Sequence, residues 1–191
     1  MNKVLNWKRK ESKRLSNCRV FEVFESISIS PMTGKEHSFY YIDTADWVNV
    51  IPVTRDNEVV MVRQFRHGSQ EVSLEIPGGL VDPGEQPELA ASRECLEETG
   101  YAVGSISPLG QLNPNPALFA NSLYTYVAEE CVLTSEIKNT NTEYTEVELV
   151  SVPKLLELLS NGTINHALVN ATLWRWLYQK RLNQGAKNYL N

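Results

Sequence analysis

Cysteine is scarce in this chain: Cys18, Cys95 and Cys131 are the whole set in 191 residues, and no two stand at metal-ligand spacing. An odd, scattered set argues against a disulfide framework and a zinc site, so free thiols in a reducing cytoplasm are expected. Histidine is equally rare, and His67 and His166 have no sequence neighbours that would complete a nucleophilic triad. No run of eighteen apolar residues occurs, which excludes a simple transmembrane helix and predicts no membrane partner. Positive charge is in deficit, with 18 Lys and Arg against 23 Asp and Glu for a net charge of -5. A duplex binder needs a basic surface to displace counterions, so no nucleic acid partner is expected. The basic opening stretch from Met1 to Arg14 has no apolar run behind it. It reads as a solvated terminus, not an export signal. Repeats, low-complexity tracts and Pro, Gly or Ser linkers are also missing.

What is present suffices for one sizeable core, since 42% of the residues are hydrophobic. Arg19 to Ile29 is rich in Val, Phe and Ile; Pro31-Met32-Thr33-Gly34 supplies a turn, and Glu36 to Ile42 resumes strand-like composition. This predicts a β-hairpin within a small N-terminal β subdomain over residues 1–45, with the main domain over 46–191. Trp47 to Pro52, Val59 to Phe65, Leu123 to Ala128 and Tyr144 to Val152 read as further strands. Two helices close the chain, one from near Pro153 and one over 164–182 whose apolar face holds Leu168, Ala171, Trp174, Leu177 and Tyr178. Trp174 and Trp176 are taken as packing residues.

The informative segment begins at Leu74, where a short strand runs into a loop crowded with glycine and proline, and a helix follows. Pro87 suits the first turn of that helix and Gly100 the left-handed position past its end, which predicts a span of 87–99. Leu89 and Leu96, one heptad apart, are expected to anchor one face in the core. On the other face Glu94, Glu97 and Glu98 stand at i, i+3 and i+4, so their carboxylates are close neighbours. Three like charges together are costly, whereas clustered acidic oxygens are what a hard divalent cation requires, Mg²⁺ or alternatively Mn²⁺. Arg93, four residues before Glu97, is placed to hold that carboxylate.

A Glu-rich helix face alone commonly means only solvation. The wider pattern decides the matter: Gly79, Glu85, Arg93, Glu94, Glu97, Glu98 and Gly100 are seven fixed residues at fixed spacing. With twenty equally likely residues, chance supplies such a match with a probability on the order of 10⁻⁷. Residues Gly79 to Tyr101 resemble a complete Nudix box, the signature of the Nudix hydrolase superfamily. The one departure is Cys95, where an aliphatic residue is usual; cysteine packs as a small hydrophobe.

The resemblance implies an α/β fold, an α/β/α sandwich with a central mixed sheet, plus the N-terminal antiparallel sheet. It implies Glu94 and Glu98 as metal ligands, Glu97 as ligand or support, Glu85 as a supporting acid, and the Gly78 carbonyl as a further ligand. Gln64-Phe65-Arg66 followed by Leu74-Glu75-Ile76-Pro77-Gly78-Gly79 is similar to the ADP-ribose pyrophosphatase branch. In that branch an arginine at the Arg66 position meets substrate phosphate, Glu75 belongs to the same substrate-binding segment, and the N-terminal sheet forms a homodimer. Pro116, fifteen residues past Tyr101, approximates a substrate-side proline of the branch. The acid usual after it is missing, since Leu118-Phe119-Ala120-Asn121 follows, and this leaves ADP-ribose and GDP-mannose both open. Glu143 is the candidate general base on a polar loop, with Glu146 in reserve. The activity implied is Mg²⁺-dependent hydrolysis of a nucleoside diphosphate sugar, with ADP-ribose giving AMP and ribose 5-phosphate. Two other readings stand beside it: a hydrolase of nucleoside triphosphates or capped RNA, and a nucleotide-sugar sensor without turnover.

Overall fold

Ser30 shows how local chemistry starts the fold. Its Oγ accepts the backbone N–H groups of Met32 and Thr33, each at 3.3 Å, and Gly34 takes φ +69° to close the turn. That turn joins strands β2 (Phe21–Ile29) and β3 (Glu36–Thr44), and β1 (Lys8–Asn17) completes an antiparallel sheet in the order β1-β2-β3. The structure, a computed structural model, describes residues 4–140, 142 and 144–189, with side chains as far as 182. Contacts divide the chain into two units, Met1–Asp46 with Asn113–Ser122, and Trp47–Leu112 with Leu123–Asn191.

In the first unit, β1 corrects the expectation of a solvated terminus. All ten of its residues are exposed, yet the backbone ladder to β2 runs from Lys8 to Asn17 with two register shifts. Ion pairs Lys10–Glu36 and Arg14–Glu22 and the stacked rings of Phe24 and Tyr41, 5.2 Å apart, accompany the ladder. With no side chain to bury, β1 has no need of an apolar alternation. The segment 113–122, which carries Pro116, joins β3 through Ile42 N–H to the Leu118 carbonyl at 2.8 Å and Ala120 N–H to the Ile42 carbonyl at 3.0 Å.

The second unit contains β4 (Trp47–Thr54), β5 (Glu58–Arg66), β6 (Glu71–Glu75), β7 (Gly78–Leu80), α1 (Pro87–Thr99), β8 (Tyr101–Ala102), β9 (Ser105–Leu112), β10 (Leu123–Leu133), β11 (Thr145–Ser151), α2 (Val152–Ser160) and α3 (Ala167–Tyr189). Its sheet follows β11-β5-β4-β10-β8, with β6 beside β5, β7 beside β4 and β9 beside β10. Only the β4–β10 pairing is parallel, so the sheet is mixed. Alternate residues of β4 and β10 feed two cores. Val48, Val50, Tyr126 and Ala128 pack with Ala90, Ala91 and Cys95 of α1, whereas Ile51, Val53 and Val127 pack with Leu155, Val169, Leu173 and Trp176 of α2 and α3. Burial on both faces explains the near-continuous apolar run of β4, and the result is the α/β/α sandwich. Each fully buried aliphatic side chain stabilises this arrangement by about 1.5–3 kcal/mol.

Two helix faces differ from expectation. Leu89 is 62% exposed, and small residues, Ala90, Ala91 and Cys95, make the contact of α1 with the sheet. On α3 the buried stripe is Val169, Thr172, Leu173 and Trp176, whereas Trp174 and Tyr178 are exposed. Thr172 sits in that stripe because its hydroxyl donates to the Leu168 carbonyl at 2.9 Å, leaving only its methyl to pack.

Candidate active site

Helix α1 begins and ends where its sequence dictates. Pro87 occupies the first turn, and Gly100 adopts φ +76° and donates its N–H to the Leu96 carbonyl at 2.9 Å. One turn of this helix presents Glu94, Glu97 and Glu98, which line a cavity of about 220 Å³ together with Lys138, Asn139 and Thr140 of the β10–β11 loop and Thr145 at the start of β11. The loop is strapped to α1 through carbonyls that the helix end leaves without intrahelical partners. Gly100 O accepts Thr134 N–H and Ser135 N–H, Glu97 O accepts Lys138 N–H at 2.9 Å, and Glu98 O accepts the Thr145 hydroxyl at 2.9 Å. Asn139 clasps Thr145 in return, its Oδ1 accepting Thr145 N–H at 2.8 Å and its Nδ2 donating to the Thr145 carbonyl at 3.2 Å.

Each carboxylate has a distinct setting. Glu98 is 5% exposed and its Oε2 accepts the Gly78 N–H at 3.0 Å, which ties α1 to the start of β7. Glu94 lies against Gly79, where an added Cβ would overlap its carboxylate and push that side chain aside. Glu97 is the most open of the three, with the Lys138 ammonium 3.7 Å away. Arg93 is the organiser, though its main partner is not the Glu97 expected from helix spacing. It grips Glu85 bidentately at 3.0 and 2.9 Å, donates to Glu94 at 2.8 Å and to the Leu80 carbonyl at 3.0 Å, and reaches Glu97 only at 3.4 Å. The Arg93 guanidinium holds Glu85 below the usual carboxylate range, and Glu85 in turn pushes Arg93 up.

The donor chemistry fits a hard divalent cation, since three carboxylates from one helical turn line one cavity with the Gly78 backbone bonded to one of them. Among the described residues no three His, Cys, Asp or Glu groups are already drawn together as a metal cage. Arg93, Lys138 and the Gly78 amide engage the carboxylates. Cys95 is fully buried beside them, and the neighbouring Cys131 thiol and burial push its thiol up, so it is an inert packing group.

The other expected residues fall in three places. Arg66 and Glu75 meet on adjacent strands β5 and β6 as a bidentate pair, with both contacts at 2.7 Å. Pro116 belongs to the 113–122 segment of the first unit, and α1 belongs to the second. Glu143 lies outside the described residues, and Glu146 is an exposed residue of β11 that does not line the cavity. Pattern reading missed Lys138, Asn139, Thr140 and Thr145. The one signal for them was the polar loop, rich in Asn and Thr, between two strands.

Residues 43–172 match the family described as the NUDIX domain. The chain is 31% identical over 121 residues to an ADP-ribose pyrophosphatase of Bacillus subtilis (strain 168), covering 63% of this chain and 65% of that protein, just under two thirds of its length. It is 30% identical over 174 residues to an ADP-sugar pyrophosphatase of Mus musculus, covering 80% of this chain and 78% of the relative. A solved structure titled as an ADP compounds hydrolase superposes with a TM-score of 0.84 over 97% of this chain and 99% of that one, at 21% identity, which is a likeness of fold.

Proposed function

The chain belongs to the NUDIX domain family, and on that premise we propose that it is a Mg²⁺-dependent pyrophosphohydrolase of nucleoside diphosphate sugars. ADP-ribose is the first candidate substrate, cleaved by water to AMP and ribose 5-phosphate. The observation that carries the reading is the placement of Glu94, Glu97 and Glu98 on one turn of α1, lining a single cavity under the β10–β11 loop. Glu94 and Glu98, with Glu97 and the Gly78 carbonyl, are the groups that would hold the cation. When bound, the cation supplies Lewis acidity, making water a better nucleophile and offsetting charge that develops on the phosphoryl oxygens. Arg93 keeps Glu85 and Glu94 in register, and Arg66 meets the diphosphate with a planar guanidinium. Glu143 takes the proton from the attacking water, with Glu146 the reserve.

We place an N-terminal β subdomain at 1–45 and the hydrolase domain at 46–191. The free thiols of Cys18, Cys95 and Cys131 support a reducing, cytoplasmic setting. The homodimer is carried over from the resemblance, in which the N-terminal sheet forms the dimer; the Lys- and Arg-rich edge strand β1 is not a bare edge that would pair by itself. Sedimentation should therefore give twice the 21.6 kDa chain mass, and a monomer at micromolar concentration would remove the dimer.

The decisive assay follows product release from ADP-ribose, GDP-mannose, UDP-glucose, NADH and dGTP, with Mg²⁺ and with chelator. Cleavage confined to the diphosphate sugars and abolished by chelator is the expected result. Silence across the panel with tight binding of one member would replace the enzyme by a sensor. Preferential dGTP cleavage would move the chain to the triphosphate branch.

A further inference from the structure

Glu75 is a carboxylate with only 3% of its side chain exposed, set outside the α1 cluster. Burial by itself pushes its carboxyl up, but the Arg66 guanidinium, with smaller help from His166 and Ser73, more than offsets this and holds it below the usual range. The grip is side-on: Arg66 Nε donates to Oε1 and Nη2 to Oε2, both at 2.7 Å, while 41% of the arginine side chain remains exposed. A carboxylate so enclosed is built to aim the arginine, not to reach a substrate itself. A third group completes the arrangement. His166, from the α2–α3 connection, places Nε2 3.9 Å from Glu75 Oε2.

The ring of His166 is fixed from its other side. Nδ1 accepts the Val169 N–H at 3.4 Å in the first turn of α3. This turns Nε2, the other ring nitrogen, towards Glu75. The backbone around it is tied down as well, with the His166 carbonyl accepting Asn170 N–H at 2.9 Å and Asn165 Nδ2 donating to Glu71 of β6 at 3.2 Å.

We propose that His166 is a positioning residue, which with Glu75 fixes the aim of Arg66 at the diphosphate of the substrate. The proposal rests on the reading of Arg66 as the diphosphate contact. It converts Glu75 from a substrate ligand into the arginine's holder and gives the α2–α3 connection a part in substrate binding.

Inorganic pyrophosphate, measured by calorimetry, is the probe, because its binding does not require turnover. His166→Ser keeps an oxygen to cap Val169 N–H but loses the ring whose Nε2 stands 3.9 Å from Glu75. His166→Gln keeps a far donor. The expected result is pyrophosphate binding weakened about two- to ten-fold by His166→Ser, near wild type in His166→Gln, and lost in Arg66→Ala, with unchanged melting temperature in both His166 variants. With ADP-ribose as substrate, His166→Ser should raise KM and leave kcat alone. Unchanged pyrophosphate binding in His166→Ser, equal weakening in both His166 variants, weakening only in step with a lower melting temperature, or no pyrophosphate binding by the wild-type chain or through Arg66 would each overturn it. A chain that binds pyrophosphate through Arg66 in this pattern but cleaves no diphosphate sugar leaves this inference standing and removes the proposed activity.

Discussion

Glu98 holds the most constrained position in the carboxylate cluster, since its carbonyl accepts Thr145, its carboxylate accepts Gly78 N–H, and 5% of it is exposed. Glu98→Gln keeps size and most hydrogen bonding but removes the charge that a cation needs. Turnover should fall on the order of 10²-fold or more while the melting temperature stays close to wild type. Retained activity with unchanged metal dependence would remove the assigned centre. Glu75 makes a different prediction, in stability against pH. Burial raises its carboxyl, and Arg66 together with His166 and Ser73 lowers it further than burial raises it, so its folded value lies below the usual 4.5. A depressed folded value means that stability from the pair is fully present above 4.5 and is lost as pH falls through the folded value. Glu75→Gln should therefore flatten the acid limb of a pH–melting curve below about 4.5 and cost about 1–3 kcal/mol at neutral pH by leaving Arg66 half-satisfied. An unaltered acid limb in that variant would contradict the assignment.

Elements differ in how plainly their residues declare them. Helix α1 was legible to the residue because Pro87 and Gly100 mark its ends, and the acid spacing on it predicted which carboxylates share a cavity. Its buried face was not legible, because the approach of α1 to the sheet selects Ala90, Ala91 and Cys95 and leaves the larger Leu89 exposed. Likewise Thr172 hides the true stripe of α3, and β9 contains Pro108 and Gly110, breakers that mask a strand. The partners of Arg93 were only partly legible, since Glu85 reaches it through the loop before α1, which helix spacing does not describe. Gly100 supplies the element-scale test. It sits at φ +76°, and an added Cβ would overlap the Ser135 carbonyl oxygen of the strapped loop. Gly100→Ala should cost about 2 kcal/mol or more, combining the left-handed penalty with displacement of the loop. Its denaturation midpoint should fall accordingly, and activity should drop with it because the same turn carries Glu97 and Glu98. A midpoint equal to wild type would show that the loop is not held as described.

At the scale of the whole molecule, composition bounded the core but could not reveal that the first unit is assembled from two separated stretches. Residues 113–122 leave the second unit after β9, join the N-terminal unit, and return at β10. Their partners lie in β3 and the residues just after it: Ile42 backbone groups bond Leu118 and Ala120, Asn121 Nδ2 donates to the Ala45 carbonyl at 3.1 Å, and Ser122 N–H donates to the Asp46 carboxylate at 2.8 Å. This explains why Pro116 resisted interpretation, because its setting is decided by a strand more than seventy residues earlier in the chain. It also sets a limit on treating residues 46–191 as a free-standing hydrolase. Deleting 1–45 removes the partners of Leu118, Ala120 and Asn121; the first two are exposed and water replaces what they lose, whereas Asn121 is buried, and a polar group left buried without its partner costs about 1–3 kcal/mol. With only about 5–15 kcal/mol of net stability in a typical domain, that loss together with the whole N-terminal sheet is a large share. The truncated chain is therefore expected to melt at a markedly lower temperature or to aggregate, even though every residue lining the α1 cavity is retained. Circular dichroism melting and sedimentation of the 46–191 fragment beside the full chain test this. A fragment that melts like the full chain would mean that the 113–122 segment satisfies its own backbone without the N-terminal sheet.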